Sequence, residues 1–111
     1  MEKNKIETYL GFCIRSRKIV FGAESIEKLR KGVYLLVIDG GVGKNSLKSV
    51  LLAQERLRCP IVASKDAGGL GETLHRPAVK AAAVTDKNLA AAILAACEDD
   101  SQFKLYSGGT N

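Results

Sequence analysis

The sequence predicts a three-layer α/β/α sandwich around a four-stranded mixed sheet. Segments with apolar residues three and four positions apart alternate with short β-branched runs, a pattern typical of α/β domains. One run, Val33–Ile38, is continuously apolar, as expected of a strand covered by helices on both faces of a sheet. A chain of 111 residues fits one such domain.

Helices and strands are expected to alternate along the chain, each with its own start and stop signals. The expected helices are Lys3–Arg15, a second from Ala23 that a left-handed Gly32 ends, a third capped by Asn45 or Ser46 and stopped by Pro60, a fourth from Asp66 to about Leu74, and a fifth capped by Thr85 or Asp86. The expected strands are Ile19–Phe21, Val33–Ile38, Ile61–Ser64 and Ala81–Val84. Because Ser, Gly and Thr are frequent after Asp100, we expect a domain over residues 1–100 and a flexible tail over residues 101–111.

The composition indicates a globular protein with a moderately basic surface. Hydrophobic residues make up 46% of the chain and charged residues 26%, which are typical of a folded domain. Lys and Arg number 17 against 12 Asp and Glu, and Glu98–Asp100 contains three of those acids, so the rest of the chain is more basic still. The excess favours a polyanionic partner such as nucleic acid.

Cysteine spacing and hydropathy restrict the cofactors and the compartment. Cys13, Cys59 and Cys97 lie far apart among apolar neighbours, which indicates buried free thiols instead of a metal site. No apolar stretch is long enough to cross a bilayer, and the first residues lead into no signal-like run. We therefore expect a cytoplasmic protein with no cofactor and no membrane partner.

The sequence contains no recognisable catalytic constellation. The one histidine, His75, has no acidic partner near it in sequence, and no serine lies in a nucleophile elbow. The cysteines also lack a local nucleophile signature. These observations favour a binding protein over an enzyme.

The loop Gly40–Ser46 follows an expected strand and opens a helix, as a phosphate-binding loop does. It departs from the nucleotide-binding motif twice, because Ile38 stands at the first glycine of the motif and Asn45 at the hydroxyl ligand of magnesium. Besides nucleotide binding, two alternatives remain, a glycine-rich turn and a contact to a single phosphate. The residues that such a contact would use are Gly41, Gly43 and Lys44.

A second candidate site is the start of the second helix at Gly22–Ser25. Six basic residues and two acidic ones lie between Arg15 and Lys31, and a helix start adds amide donors and a positive dipole. Glu24 can accept hydrogen bonds from nucleic-acid bases, and Lys28 lies one turn further on the same face. A solvated Glu24–Lys28 pair is the alternative explanation of these residues.

Short motifs along most of the chain match those of a known family. The matching segments are Leu10–Gly11, Arg15–Val20, Phe21–Gly22, Leu35–Asp39, Pro60–Val62, Ser64–Lys65, Leu70–Gly71 and Ala81–Asp86, together with Glu24, Lys28, Gly32 and Leu47. They resemble the kink-turn-binding ribosomal protein family, and in particular its small bacterial YlxQ-like members. The resemblance extends from Tyr9 to Cys97.

The resemblance implies an α/β/α sandwich that binds kinked RNA, with the residues that open the second helix meeting tandem sheared G·A pairs. The family's apolar loop over an extruded nucleotide corresponds to Arg76–Val79. The family most often has Asn and then Glu where this chain has Glu24 and Ser25, so the hydrogen bonds to the bases must differ. By position, the residues at the G·A pairs are Gly22, Glu24, Ser25 and Lys28.

Charge and resemblance together predict binding of structured, kink-turn-like RNA in a ribosome-associated or RNA-processing setting. The alternatives are a protein-interaction module of the same fold and phosphate or nucleotide binding at Gly40–Ser46. The expected RNA-binding residues are Arg15, Arg17, Lys18, Gly22, Glu24, Ser25, Lys28, Arg76 and Val79.

Overall fold

A computed structural model describes residues 5–108 of the chain. The helices are α1 (Lys5–Arg15), α2 (Ala23–Glu27), α3 (Lys44–Leu57), α4 (Gly69–Leu74) and α5 (Lys87–Ala96), the last followed by a 3₁₀ turn at Cys97–Asp99. The strands are β1 (Ile19–Phe21), β2 (Leu35–Ile38), β3 (Ile61–Ser64), β4 (Ala81–Val84) and β5 (Phe103–Ser107). Up to α5 the order of elements is the expected one, and Lys3, the expected start of the first helix, lies outside the described residues.

The strands form one mixed sheet in the order β1-β4-β2-β3-β5. β4 is antiparallel to both of its neighbours, β2 and β3 are parallel, and β5 is antiparallel to β3. The strands β1, β2 and β3 therefore run in the same direction. We call the end of the sheet where these three strands finish the carboxyl end, and the end where they begin the amino end.

Helices cover both faces of this sheet. α1, α4 and α5 pack on one face against a core that includes Leu35 and Val37, and α2 and α3 pack on the other face against a core that includes Leu36 and Ile38. Alternate residues of β2 thus enter opposite cores, which explains why every position of the strand is apolar. The predicted α/β class is confirmed, with the sheet as the middle of three layers.

The sheet has five strands, so the prediction of four is wrong. Residues Phe103–Ser107, which the sequence assigns to a flexible tail, pair with β3 as the edge strand β5. Phe103 is only 1% exposed and belongs to the core under α1 and α5. The predicted tail is therefore an ordered strand at these positions, while residues 109–111 lie outside the described part of the chain.

α2 is shorter than its sequence pattern indicates, and Arg56 of α3 explains why. The guanidinium donates to the carbonyl of Glu27 at 2.9 Å and to that of Leu29 at 3.0 Å. These hydrogen bonds take up carbonyl groups that a longer helix would need for its own next turn. Gly32 does have a positive φ of 79°, but it lies in the connection after α2 and does not cap the helix.

Glycines, and not polar side chains, precede two of the other helices. α3 begins directly after Gly43 and α4 directly after Gly68, and neither helix has a side-chain cap. The expected caps that the structure does not use are Asn45, Ser46 and Asp66. Asp86 is confirmed as the cap of α5, because its carboxylate accepts a hydrogen bond from the N–H of Leu89 at 2.8 Å.

Candidate nucleic-acid interface

The start of α2 lies at the carboxyl end of the sheet, where β1 finishes. Gly22 has φ of 94°, which residues with a side chain rarely adopt, and its N–H donates to the carbonyl of Ala81 at 2.9 Å. A Cβ added to Gly22 would meet nothing within 4 Å. The glycine therefore turns the chain from β1 into α2 and leaves its backbone open to an approaching ligand.

Glu24, Ser25 and Lys28 are exposed on or directly after α2. Lys28 follows the last residue of the helix, one turn beyond Glu24. No salt bridge joins Glu24 to Lys28 in the part of the chain that the structure describes. The solvated ion pair that would give these residues a purely local role is thus not formed, and both charges remain accessible.

The turn Arg76–Val79 lies beside the start of α2. It is closed by a hydrogen bond from the N–H of Val79 to the carbonyl of Arg76 at 3.0 Å. The guanidinium carbon of Arg76 lies 5.0 Å from the centroid of the Phe21 ring, a cation–π contact. Because Phe21 directly precedes Gly22, this contact joins two predicted RNA-binding segments, while Val79 itself is half-buried against the core.

Lys80 adds a cation to this region that the sequence did not single out. Its side chain is 45% exposed, and its ammonium nitrogen lies 4.0 Å from the carboxylate of Asp39. The one sequence signal for Lys80 is its position between Val79, a predicted RNA-binding residue, and the expected strand that begins at Ala81. We call the following residues the carboxyl-end surface: Gly22, Glu24, Ser25, Lys28, Arg76 and Lys80.

Three of the predicted residues lie elsewhere, at the amino end of the sheet. They are Arg15, Arg17 and Lys18, of which Lys18 accepts a hydrogen bond at its carbonyl from the N–H of Thr85. The guanidinium of Arg15 lies 4.8 Å from the ring centroid of Phe12, on the surface of α1. The three residues of β1 span about 10 Å at about 3.3 Å per residue. These basic groups and Gly22 therefore face different parts of any bound molecule.

The glycines of the loop after β2 serve close packing between two loops. The N–H of Gly40 donates to the hydroxyl of Ser64 and that of Gly41 to the carboxylate of Asp39, both at 2.8 Å. A Cβ on Gly40 would lie 2.7 Å from the carbonyl oxygen of Ser64. The N–H groups of Gly40 and Gly41 therefore have acceptors within the protein, which fits a glycine-rich turn, while Gly43 and Lys44 are exposed at the start of α3.

Asp39 organises this region, although no sequence pattern indicated a role for its side chain. Its buried carboxylate accepts hydrogen bonds from the N–H groups of Gly41 and Gly68 at 2.8 Å and of Leu70 at 2.9 Å. Burial raises the pKa of this carboxyl, but the three backbone hydrogen bonds and nearby Lys80 lower the pKa by more, to below its usual 3.8. The carboxylate thus ties the loops after β2 and β3 to the start of α4.

Gly40→Ala is expected to lower the free energy of unfolding by about 2 kcal/mol, because the new methyl group would press on the backbone of the neighbouring loop. Gly43→Ser is the matched control. Gly43 precedes α3 with φ of −73° and has open space around it, so a serine there should be neutral or slightly stabilising as a helix cap. Urea unfolding measures both variants, and an equal response would contradict the packing role of Gly40.

Two further kinds of reactive group are present, buried thiols and an exposed histidine. The prediction of buried free thiols is confirmed for Cys13, Cys59 and Cys97, and burial raises the pKa of each to about 11, so they stay protonated near neutral pH. The exposed His75 lies 3.2 Å from the carboxylate of Glu7.

Within residues 5–108 no three His, Cys, Asp or Glu side chains are grouped to hold a metal ion. None of the helices in this part of the chain has the length and apolar character of a membrane span.

Comparison with known proteins informs the fold alone. No protein family model and no curated protein matches the chain. Among solved structures, it is similar to a protein of unknown function from Bacillus halodurans, with a TM-score of 0.72 and 19% identity, over 85% of this chain and 97% of that chain. The similarity supports the mixed α/β architecture.

Proposed function

We propose that this chain is a non-catalytic RNA-binding protein that recognises structured, kink-turn-like RNA with its carboxyl-end surface, in a ribosome-associated or RNA-processing setting. The observation that carries the proposal is the contact between Arg76 and Phe21. It brings together two segments that are distant in sequence, and the family resemblance assigns RNA contacts to both of them.

The groups of the carboxyl-end surface suit different parts of an RNA. Gly22 offers backbone without a side chain, so a kinked RNA can come close to the start of α2. Glu24 can only accept hydrogen bonds, and therefore favours base edges that present amino and imino donors, whereas the Ser25 hydroxyl can donate or accept. The groups that neutralise phosphates are Lys28, Arg76 and Lys80.

Lys28→Ala and Arg76→Ala are each expected to weaken binding to a kink-turn RNA about tenfold, since each removes a charged contact worth about 1–2 kcal/mol. A gel-shift titration measures the effect. Lys104→Ala is the matched control, because it removes an exposed lysine from β5 at the opposite edge of the sheet from β1 and should bind like the unaltered chain.

The RNA supplies the second half of this test. Replacing its tandem G·A pairs by Watson–Crick pairs should remove the preference for the kink-turn. Equal, weak binding to any duplex would instead contradict kink-turn recognition. Binding through phosphates should also weaken steeply as the salt concentration rises, because counterions are released on association.

A protein-interaction role is the second candidate function. Leu105 and Tyr106 of the edge strand β5 are 52% and 49% exposed, and an apolar edge strand is a surface on which another protein can pair. An apolar interface responds little to salt, so a partner retained at high salt would favour this candidate over RNA.

A further inference from the structure

A basic cleft lies at the amino end of the sheet, and none of the residues of the carboxyl-end surface lines it. It has a volume of about 420 Å³ and lies between the connection from α2 to β2 and the connection from α3 to β3. None of the described residues that line it is acidic. The basic residues that line it are Arg30, Lys31, Arg56 and Arg58.

One of these four residues builds the cleft and the other three are available to a ligand. The guanidinium of Arg56 is occupied by the carbonyls at the end of α2, and it thereby fixes the chain that carries Arg30 and Lys31 against α3. Arg30, Lys31 and Arg58 are exposed and form no salt bridge with any other described residue. The cleft therefore holds three uncompensated positive charges on a fixed backbone.

Arg58 occupies a backbone position that usually belongs to glycine. It follows α3 with φ of 56° and ψ of 49°, the left-handed conformation in which helices most often place Gly or Asn. Its N–H donates to the carbonyl of Gln54 at 2.7 Å, and the Gln54 side chain donates to the carbonyl of Cys59 at 3.1 Å, so the turn is fixed on both sides. The turn therefore holds Arg58 in place, although glycine would adopt this conformation at lower cost.

Tyr34 is an aromatic residue in the lining of the cleft. It is 43% exposed, and its backbone N–H donates to the carbonyl of Val84 at 2.9 Å, which fixes the residue beside the end of β4. Aromatic rings with neighbouring cations bind single-stranded nucleic acids, because bases stack on the ring and the cations hold the phosphates. The cleft is also within the size range of pockets that take a small molecular group.

We propose that this cleft is a second RNA-binding site that takes an unpaired segment of the strand. One base stacks on Tyr34, and the adjacent phosphates contact Arg30, Lys31 and Arg58. The site extends the proposed RNA-binding function beyond kink-turn recognition and uses none of the residues of the carboxyl-end surface.

Arg17 and Lys18 lie on the path of the RNA strand where it leaves this cleft. The Lys18 carbonyl accepts a hydrogen bond from the N–H of Thr85. Thr85 directly follows Val84, whose carbonyl accepts the hydrogen bond from the N–H of Tyr34. The two basic residues therefore lie at the same end of the sheet as the cleft, about 10 Å away across two strand spacings. They contact the next phosphates of the same unpaired segment.

The test uses a fluorescently labelled oligouridine of about ten nucleotides, which forms no kink-turn and is long enough for a single-strand site. Fluorescence anisotropy measures its affinity for the full chain. Tyr34→Leu should weaken binding about tenfold, because it keeps apolar bulk but removes the stacking surface. Tyr34→Phe keeps the ring and should bind like the unaltered chain.

Arg58→Gly tests the charge without endangering the fold, because glycine adopts the left-handed conformation freely. It should weaken oligouridine binding about fivefold at low salt. Lys104→Ala removes one exposed charge outside the cleft and should have no effect.

Three results would overturn the proposal: no binding of oligouridine, equal affinities for Tyr34→Leu and Tyr34→Phe, or displacement by oligoglutamate as effective as by unlabelled oligouridine. The last would show an acidic peptide site. The kink-turn gel shift is read with Lys28→Ala and Arg76→Ala, and the oligouridine titration with Tyr34→Leu and Arg58→Gly, so each substitution alters one site only. A failure of either site is thus distinguishable from a failure of the other.

Discussion

Replacing Asp39 by alanine is expected to lower the free energy of unfolding by about 3 kcal/mol. The substitution removes the acceptor of the N–H groups of Gly41, Gly68 and Leu70, of which the Leu70 hydrogen bond is fully buried. Each buried donor left without an acceptor costs about 1–3 kcal/mol, and water can restore part of this only at the two partly buried groups. Urea unfolding followed by circular dichroism measures the difference from the unaltered chain.

The same carboxylate makes the stability depend on pH. Because the pKa of Asp39 is lower in the folded protein than its usual 3.8, its contribution is fully present above pH 3.8 and is lost as the pH falls through the lower, folded-state pKa. Asp39→Asn should therefore differ most from the unaltered chain at neutral pH, and less below pH 3.8. Asp66→Asn is the matched control, because this exposed side chain lies in the adjacent loop and accepts none of the three backbone hydrogen bonds of Asp39. A difference for Asp39→Asn that stayed constant below pH 3.8 would contradict this account.

The sequence predicts the elements whose side chains enter a core in a regular pattern. β2 is recognisable because all four of its residues are buried, and α5 because its apolar positions recur at helical spacing. β5 gives no such signal, since only Phe103 of its five residues is buried and its neighbours face solvent at the sheet edge. A strand with one buried residue has almost the same sequence pattern as a polar tail.

In the candidate site, too, features that depend on neighbouring residues are predictable from the sequence, and features that depend on the pairing of distant strands are not. The special role of Gly22 follows from the chain itself, because a strand ends there and a helix begins. The contact between Arg76 and Phe21 depends on the pairing of β1 with β4, which no local pattern encodes. Likewise, Arg17 and Lys18 are close to Gly22 in sequence, but β1 carries them to the other end of the sheet.

Phe103→Ala is expected to lower the free energy of unfolding by about 4 kcal/mol, more than Asp39→Ala. The ring is 1% exposed and packs in the core beneath α1 and α5, so its removal leaves a cavity. It is also the only residue of β5 that is buried, and therefore holds the strand against β3. Chemical denaturation should give a lower midpoint with little change in slope, because the surface exposed on unfolding is nearly the same.

Tyr106→Ala is the control that distinguishes the loss of the buried Phe103 ring from the loss of any ring on β5. Tyr106 lies on β5 and is 49% exposed, so truncating it removes a comparable ring but leaves no buried cavity, and the expected change is about 0.5 kcal/mol. If residues 101–111 were a flexible tail, both substitutions would have equally small effects. A large effect of Phe103→Ala beside a small effect of Tyr106→Ala therefore requires a fifth strand, fixed to the domain through one buried ring.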